Sequence, residues 1–292
     1  MKIYDGPLAY YSGKKEIGDK SFRISASGIS RFFSHTRQWW GENFLNEEGF
    51  VSSTASVLGT ITHRIAELHA RNGEVTEQDY KDIEEYIDVH TIAGWDKYNI
   101  EVDAEIIRYQ YPIMGQALVS RYLESNPPEM IEPFLYHEEL KGIGGGGSID
   151  AVSKGESGGL VVVDYKTSSA TSLPDKIVYA YRLQLLTYAY LLTKKGHSVK
   201  EIRIVYVSRN NVGRVSEKTG KPLKQYPTEV KVITESINEQ DLEYIERVIK
   251  LIAESVDCWN KQPEMRHLLC QDLRQKKPKN RVKIEQIEDG IF

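Results

Sequence analysis

"GGGGSIDAVSKGESGGLVVVDYKTSSA", residues 144–170, runs from four glycines into two stretches of strand character that carry Asp150, Asp164 and Lys166. Leu160 to Val163 form a continuous apolar run of the kind found in a central strand covered on both faces. Asp164 and Lys166 close that run on one face, because side chains two apart in a strand point the same way and sit about 6.6 Å apart along it. A carboxylate buried there is costly unless it is paired or coordinated. Taken alone, a D-x-K at this place reads as a salt-bridged strand end, or as a strand emerging into solvent. Asp150 changes that reading. It belongs to the preceding strand, and "SKGESGG" is an adequate hairpin connection between the two. The hairpin brings Asp150 beside Asp164, and two crowded carboxylates repel unless a hard divalent cation lies between them. Lys166 adds a cation able to orient an attacking water or to stabilise charge on a phosphate. The trio is suited to cutting phosphodiesters.

Working outward, "STASVLGTITHRIAELHA" (53–70) places Val57, Ile61, Ile65 and Leu68 at helical spacing, with Ser52 or Ser53 as cap and His63 off the main apolar line. Helical segments follow near Glu77–His90 and Val102–Glu124, the second stopped by "SNPPE". Beyond Pro133, "FLYHEELKGIG", "GSIDAVS" and "GLVVVDYKT" read as three successive antiparallel strands. Helix returns over 175–192, and "EIRIVYVSR" (201–209) and "TEVKVITE" (228–235) read as strands flanking an exposed loop. Residues 238–259 have helical periodicity and an acidic start. The expected plan is one α/β domain over 1–292: a mainly helical part (1–132), a sheet core (133–235), a C-terminal helix (236–265) and a basic polar tail (266–292).

Whole-chain properties exclude several classes. The 292 residues are 40% hydrophobic and 27% charged, which suffices for a substantial core. No run of 18 apolar residues and no secretory signal pattern is present, so an intracellular, non-membrane protein is expected. Cys258 and Cys270 are too few for a disulfide framework or a four-thiolate cluster. A formal net charge of -4 gives no global attraction to nucleic acid, so a polyanion must be held by local basic patches or by metal ions.

"GGSIDAV…VVVDYKTSS" resembles the D…(D/E)xK signature of the PD-(D/E)xK nuclease superfamily, in its RecB-like exonuclease branch. Upstream, "LGTITHRIAE" resembles that branch's G-x-x-x-H-x-x-x-E helix, which makes His63 a further metal ligand. Downstream, "YRLQLLTYAYLL" is similar to its Q-x-x-x-Y helix, which assigns Gln184 and Tyr188 to the site. "SASGISRFFSHTRQWW" resembles the branch's N-terminal segment. The four motifs stand in the family's order and cover residues 24–192. The resemblance implies an αβββαβ core with a mixed sheet flanked by helices, and catalysis by Asp150, Asp164, Lys166, Gln184 and Tyr188. It implies Mg²⁺ or Mn²⁺ held by His63, Asp150, Asp164 and the Tyr165 backbone carbonyl. Similar nucleases carry an acidic residue on the strand before the glycine run; of Glu138 and Glu139, Glu138 is favoured, although one bulge would reverse the facing. Where some RecB-like members place the first cysteine of an iron–sulfur cluster, this chain has His35, so no such cluster is expected. The likeness is to cluster-free members, among them the mitochondrial genome maintenance exonuclease and phage exonucleases.

Each carried-over residue also has a structural reading: His63 as an ordinary helical histidine, Gln184 and Tyr188 as a packing stripe with Tyr181 and Leu191. The implied partner is DNA, held by basic residues such as Lys194, Arg209 and Arg214 and by the tail, with Trp39 and Trp40 stacking unpaired bases. The helical first half is expected to arch over the site and thread a single strand. An exonuclease acting on single-stranded ends in replication, recombination or repair is thus the leading expectation. An endonuclease of the same superfamily and a non-cutting DNA-binding module are the alternatives.

Overall fold

The computed structural model describes residues 22–44, 53–98 (backbone only for 91–98), 103–156, 158–168, 173–211, 214–216 and 218–261. In chain order the elements are β1 (Phe22–Ser25), α1 (Ile29–Ser34), α2 (Thr36–Phe44), α3 (Thr54–Asn72), α4 (Glu77–Tyr98), α5 (Ala104–Arg121), β2 (Met130–Ile131), β3 (Phe134–Leu140), β4 (Ile143–Ser148), β5 (Ala151–Lys154), β6 (Leu160–Ser168), α6 (Tyr179–Lys194), β7 (Val199–Ser208), β8 (Val230–Ser236) and α7 (Glu239–Lys261). The basic tail and Cys270 lie outside the described residues, and Cys258 is exposed.

The strands form two sheets, one in the order β2-β5-β6-β7-β8 and one in the order β1-β4-β3. β6 is the centre of the larger sheet, antiparallel to β5 and parallel to β7, with α6 as the crossover between the parallel pair. Its side chains alternate between two cores. Val161, Val163 and Tyr165 pack with Leu58, Ile61 and Ile65 of α3 and Ile107, Met114 and Leu118 of α5. Val162 faces the other way, into a core with Leu183 and Leu186 of α6 and Ile245, Ile249 and Ile252 of α7. This double cover is why Leu160–Val163 read as unbroken apolar sequence.

α3 begins where its sequence says it should: Ser53 caps the helix by accepting from the Ser56 amide, and Ser56 reciprocates to the Ser53 amide. Asp103 caps α5 in the same way through Ile106. α3, α4 and α5 form a layer on one sheet face because their apolar stripes, including Ile83 and Ile87 of α4, are buried together against it.

Two expectations about strands are corrected. A strand β1, absent from the sequence reading, pairs in parallel with β4. "GSIDAVS" is not one strand; it is the end of β4 and the start of β5, which belong to different sheets. β2–β3 and β4–β5 together make one long hairpin broken at a joint, where the Glu132 amide donates to the Asp150 carbonyl (3.2 Å) and the Ile149 amide to the Pro133 carbonyl (3.1 Å). The glycines are a strand rather than a hinge. A Cβ at Gly144 would lie 2.1 Å from the His137 carbonyl oxygen, and one at Gly147 would lie 3.1 Å from the Tyr188 ring. Only bare backbone lets β3 and α6 approach β4 this closely. Among the described residues no helix is long and apolar enough to cross a membrane.

Candidate active site

Register sets the site. Ala151 pairs with Val163, so continuing the β5–β6 ladder by one residue brings Asp150 level with Asp164, as the hairpin reading required. Asp150 sits in the joint between the sheets, and its Oδ2 accepts from the Tyr165 amide at 2.8 Å. His63, one helical face of α3 away from the buried stripe, brings Nδ1 to 3.4 Å from the same oxygen. On the α6 side of the sheet, Asp164 is 1% exposed. Its Oδ1 accepts from Lys166 Nζ (2.8 Å) and from Gln184 Nε2 (3.1 Å).

The charges account for one another. Desolvation works against the His63 imidazolium, yet the Asp150 carboxylate raises its pKa above the ordinary histidine value. Burial opposes ionisation of Asp150 as well, but His63, Lys166 and the Tyr165 amide hold its carboxyl below the usual range. Asp164 goes the other way: burial, then repulsion from Asp150, push it up against the pull of Lys166. Burial disfavours the Lys166 ammonium, and Asp164 and Asp150 more than offset it, so its pKa lies above that of an ordinary lysine. Lys166 is therefore held as a cation between these carboxylates.

One acid was missed. Glu132 has φ +50, the single non-glycine in the left-handed region among the described residues, and its amide bonds to Asp150. Desolvation, then the charges of Asp150 and Glu67, push its carboxyl up to about 8, with His63 pulling the other way. This carboxylate, rather than Glu138 or Glu139, attends His63 and Asp150. The sequence hinted at it only by an acid before Pro133 at a strand entry; no periodicity marks a left-handed residue. With chelator present, Glu132→Gln is expected to leave stability nearly unchanged at pH 4, where the glutamic acid is largely protonated folded or unfolded. Between about 4.5 and 8 the folded parent holds a proton that the unfolded chain releases, so the parent loses stability as pH rises. At pH 8 the variant should melt several degrees above the parent, a domain of this size gaining about 2–4 °C per kcal/mol. Equal offsets at pH 4 and pH 8 would show that Glu132 is not desolvated.

Other expected site residues are placed differently. Glu138 is exposed. A bulge between Glu138 and Leu140 turns Glu139 inward instead, where its buried carboxylate accepts from the Tyr190 hydroxyl. Trp39 and Trp40 are corrected outright as base-stacking residues: they are 2% and 1% exposed, in an aromatic cluster with Phe32, Phe44 and Trp259. Lys194 lies about 15 Å along α6 from Gln184, its ammonium over the Tyr190 ring and 3.5 Å from Glu246. Tyr188 is buried in the core, its ring against Gly147 of β4. Arg209 does approach the site strand, donating Nε to the Ser168 carbonyl at 3.3 Å, and Arg214 is exposed beyond it.

Among the described residues, no three histidine, cysteine or acidic side chains stand close enough to hold an ion as placed. The donors are nonetheless of the right kind for a divalent cation, two carboxylates and an imidazole. Asp164 Oδ2 is buried and accepts no hydrogen bond of good geometry, with the Lys166 ammonium 2.7 Å away. Positive charge reaches these carboxylates from Lys166 and from the His63 imidazolium.

The crystal structure of a protein from Eubacterium rectale with a provisional exonuclease designation superposes with a TM-score of 0.50 at 15% identity, covering 100% of both chains. At that identity the likeness concerns the fold alone. An alkaline exonuclease from Laribacter hongkongensis aligns at TM-score 0.33 and 11% identity, over 74% of this chain and 93% of its own. A phage-related exonuclease from Haemophilus somnus aligns at 0.34 and 12%, over 73% and 96%. A search of curated proteins finds no match. The sequence profile of the PD-(D/E)XK nuclease superfamily matches residues 23–272, the region that contains every element of the site, and the chain belongs to that superfamily.

Proposed function

We propose that the chain is a divalent-metal-dependent deoxyribonuclease that degrades DNA from free ends, with single strands preferred. The observation that carries it is the convergence of His63 from α3, Asp150 from the sheet joint, Asp164 and Lys166 from β6 and Gln184 from α6. His63, Asp150, Asp164 and the main-chain carbonyl of Tyr165 would hold the ion, with Glu132 beside them. When bound, the ion would supply Lewis-acid activation of the phosphate and of an attacking water. The chain's own groups do the rest. The Tyr165 amide fixes the Asp150 carboxylate, Gln184 fixes Asp164, and the Lys166 ammonium is set to orient the water or to stabilise charge gathering on the scissile phosphate.

Aromatic faces at the rim support an unpaired substrate. The Tyr181 ring lies 5.1 Å from Lys166 Nζ, and Tyr179 at the start of α6 is 62% exposed. Bases freed from a duplex can stack on such rings. End dependence draws support from the RecB-like motif order and from the exonuclease designation of the Eubacterium rectale structure.

Digestion of a linear single strand with free ends, the same strand blocked at both ends, and a circular single strand would test this. With Mg²⁺ or Mn²⁺ only the first should be degraded, and EDTA should stop degradation. Equal cutting of the circle would replace the exonuclease with an endonuclease, and cutting in EDTA would remove the metal.

A further inference from the structure

Residues 209–228, between β7 and β8, take no part in the chemistry above. This stretch contains Arg209, Arg214, Lys218, Lys221 and Lys224 against one acid, Glu217. Strand order decides where it lies. β6 and β7 are parallel, with Lys166 opposite Tyr206 and Ser168 opposite Ser208, so the stretch leaves the sheet at the end that bears the site. The Arg209 amide donates to the Ser168 carbonyl at 2.8 Å, three residues beyond the partner of Lys166, about 10 Å along the strand.

The root is pinned by buried polar groups. Ser208, Asn210 and Thr228 are all buried. The Glu229 amide donates to Ser208 Oγ (2.7 Å), Asn210 Nδ2 to Thr228 Oγ1 (3.2 Å), and Arg121 at the end of α5 to the Thr228 carbonyl (2.8 Å). Beyond the root, described residues 214–216 run against 221–223 as a short two-stranded arm, with Val215 bridged to Pro222. Asn211 Nδ2 donates to the Lys224 carbonyl (2.7 Å), the Leu223 amide to the Arg214 carbonyl (2.9 Å) and the Ser216 amide to the Lys221 carbonyl (2.8 Å). A lone two-stranded arm is marginal in water, so its order comes from the root. Arg214, Lys218, Lys221 and Lys224 are exposed, and among the described residues no carboxylate pairs with any of them.

We propose that this arm is a clamp for the phosphodiester backbone of the DNA strand being cut, gripping the nucleotides next to the site through Arg214, Lys218, Lys221 and Lys224. The inference rests on the nuclease function proposed above and adds a binding element outside the catalytic residues. A buried, hydrogen-bonded root with an exposed cationic tip suits a flexible polyanion, whose phosphates would pair with those cations.

The full chain with Lys218→Ala, Lys221→Ala and Lys224→Ala combined is the test variant, its affinity for a fluorescent 30-nucleotide oligothymidylate being measured in EDTA across a salt series. The variant should bind about 10-fold or more weakly at low salt, with a salt slope shallower by about 2, since each phosphate contact to a single strand contributes about 0.7. With Mg²⁺, KM should rise while kcat stays within about twofold, and the three lysines replaced by arginine should restore both slope and KM. An unchanged affinity and slope would overturn the clamp while leaving the nuclease intact. A parent chain that cuts no DNA would instead overturn the nuclease reading, and one that binds no oligonucleotide would overturn the clamp as well.

Discussion

Asp164→Ala should lose divalent-metal binding and turnover together, whereas Lys166→Ala should keep the first and lose the second. Asp164 is the buried hub of the site, bonded to Lys166 and Gln184 at once. Its removal would take away a proposed ligand oxygen and leave the half-buried Lys166 ammonium without its carboxylate, so activity should fall by about 10³-fold or more and stability by ~2 kcal/mol. Asp164→Asn, which keeps the shape, separates the two effects: it should be nearly as inactive but better folded. Lys166→Ala removes only the cation that leans on the carboxylate, 2.7 Å from Oδ2. Metal affinity should then equal or exceed the parent's, because the ammonium no longer competes for those oxygens. Turnover should drop about 10²-fold or more, the usual cost of one transition-state contact. Calorimetric titration with Mn²⁺ alongside single-turnover cleavage distinguishes the roles. If Lys166→Ala lost metal as severely as Asp164→Ala, the lysine would be a structural support for the metal site and not a catalytic group.

The largest effect on folding is expected outside the candidate active site. Gly144→Ala should destabilise the protein by ~3 kcal/mol or more, because the new Cβ would meet the His137 carbonyl oxygen at 2.1 Å and the Glu138 Cα at 2.8 Å, both backbone atoms that cannot rotate away. Gly145→Ala is the control. Its Cβ would first meet Ile249 at 3.4 Å, an ordinary contact, and should cost about 1 kcal/mol or less. Chemical denaturation of the two variants measures the difference. Equal midpoints would mean that β3 and β4 can separate without loss, and that the glycine run is not there for close approach.

The part of the site that was legible in the sequence is the part carried by regular elements. Asp164 and Lys166 could be set on one strand face by the two-residue period, and Asp150 set beside them by the hairpin. His63 and Gln184 followed from helical motifs in the right order. All five converge in the structure. The illegible part belongs to departures from regularity. Glu132 is itself a left-handed residue, a bulge turns Glu139 toward Tyr190 and leaves Glu138 exposed, and the joint at Asp150 splits what reads as one strand. Trp39 and Trp40 misled for a different reason. An aromatic pair is as useful to a core as to a base stack, and only the packing of Phe32, Phe44 and Trp259 around them decides.

The broken hairpin gives the site a mechanical property. Asp164 is anchored inside the five-stranded sheet, while Asp150 rides on the junction from which the three-stranded sheet departs. The gap between the two carboxylates is therefore a readout of the dihedral between the sheets, as the opening of calipers reads the angle of their arms. Because β4 runs straight into Asp150, a substitution that displaces the end of β4 would shift that gap and detune the site without touching a site residue.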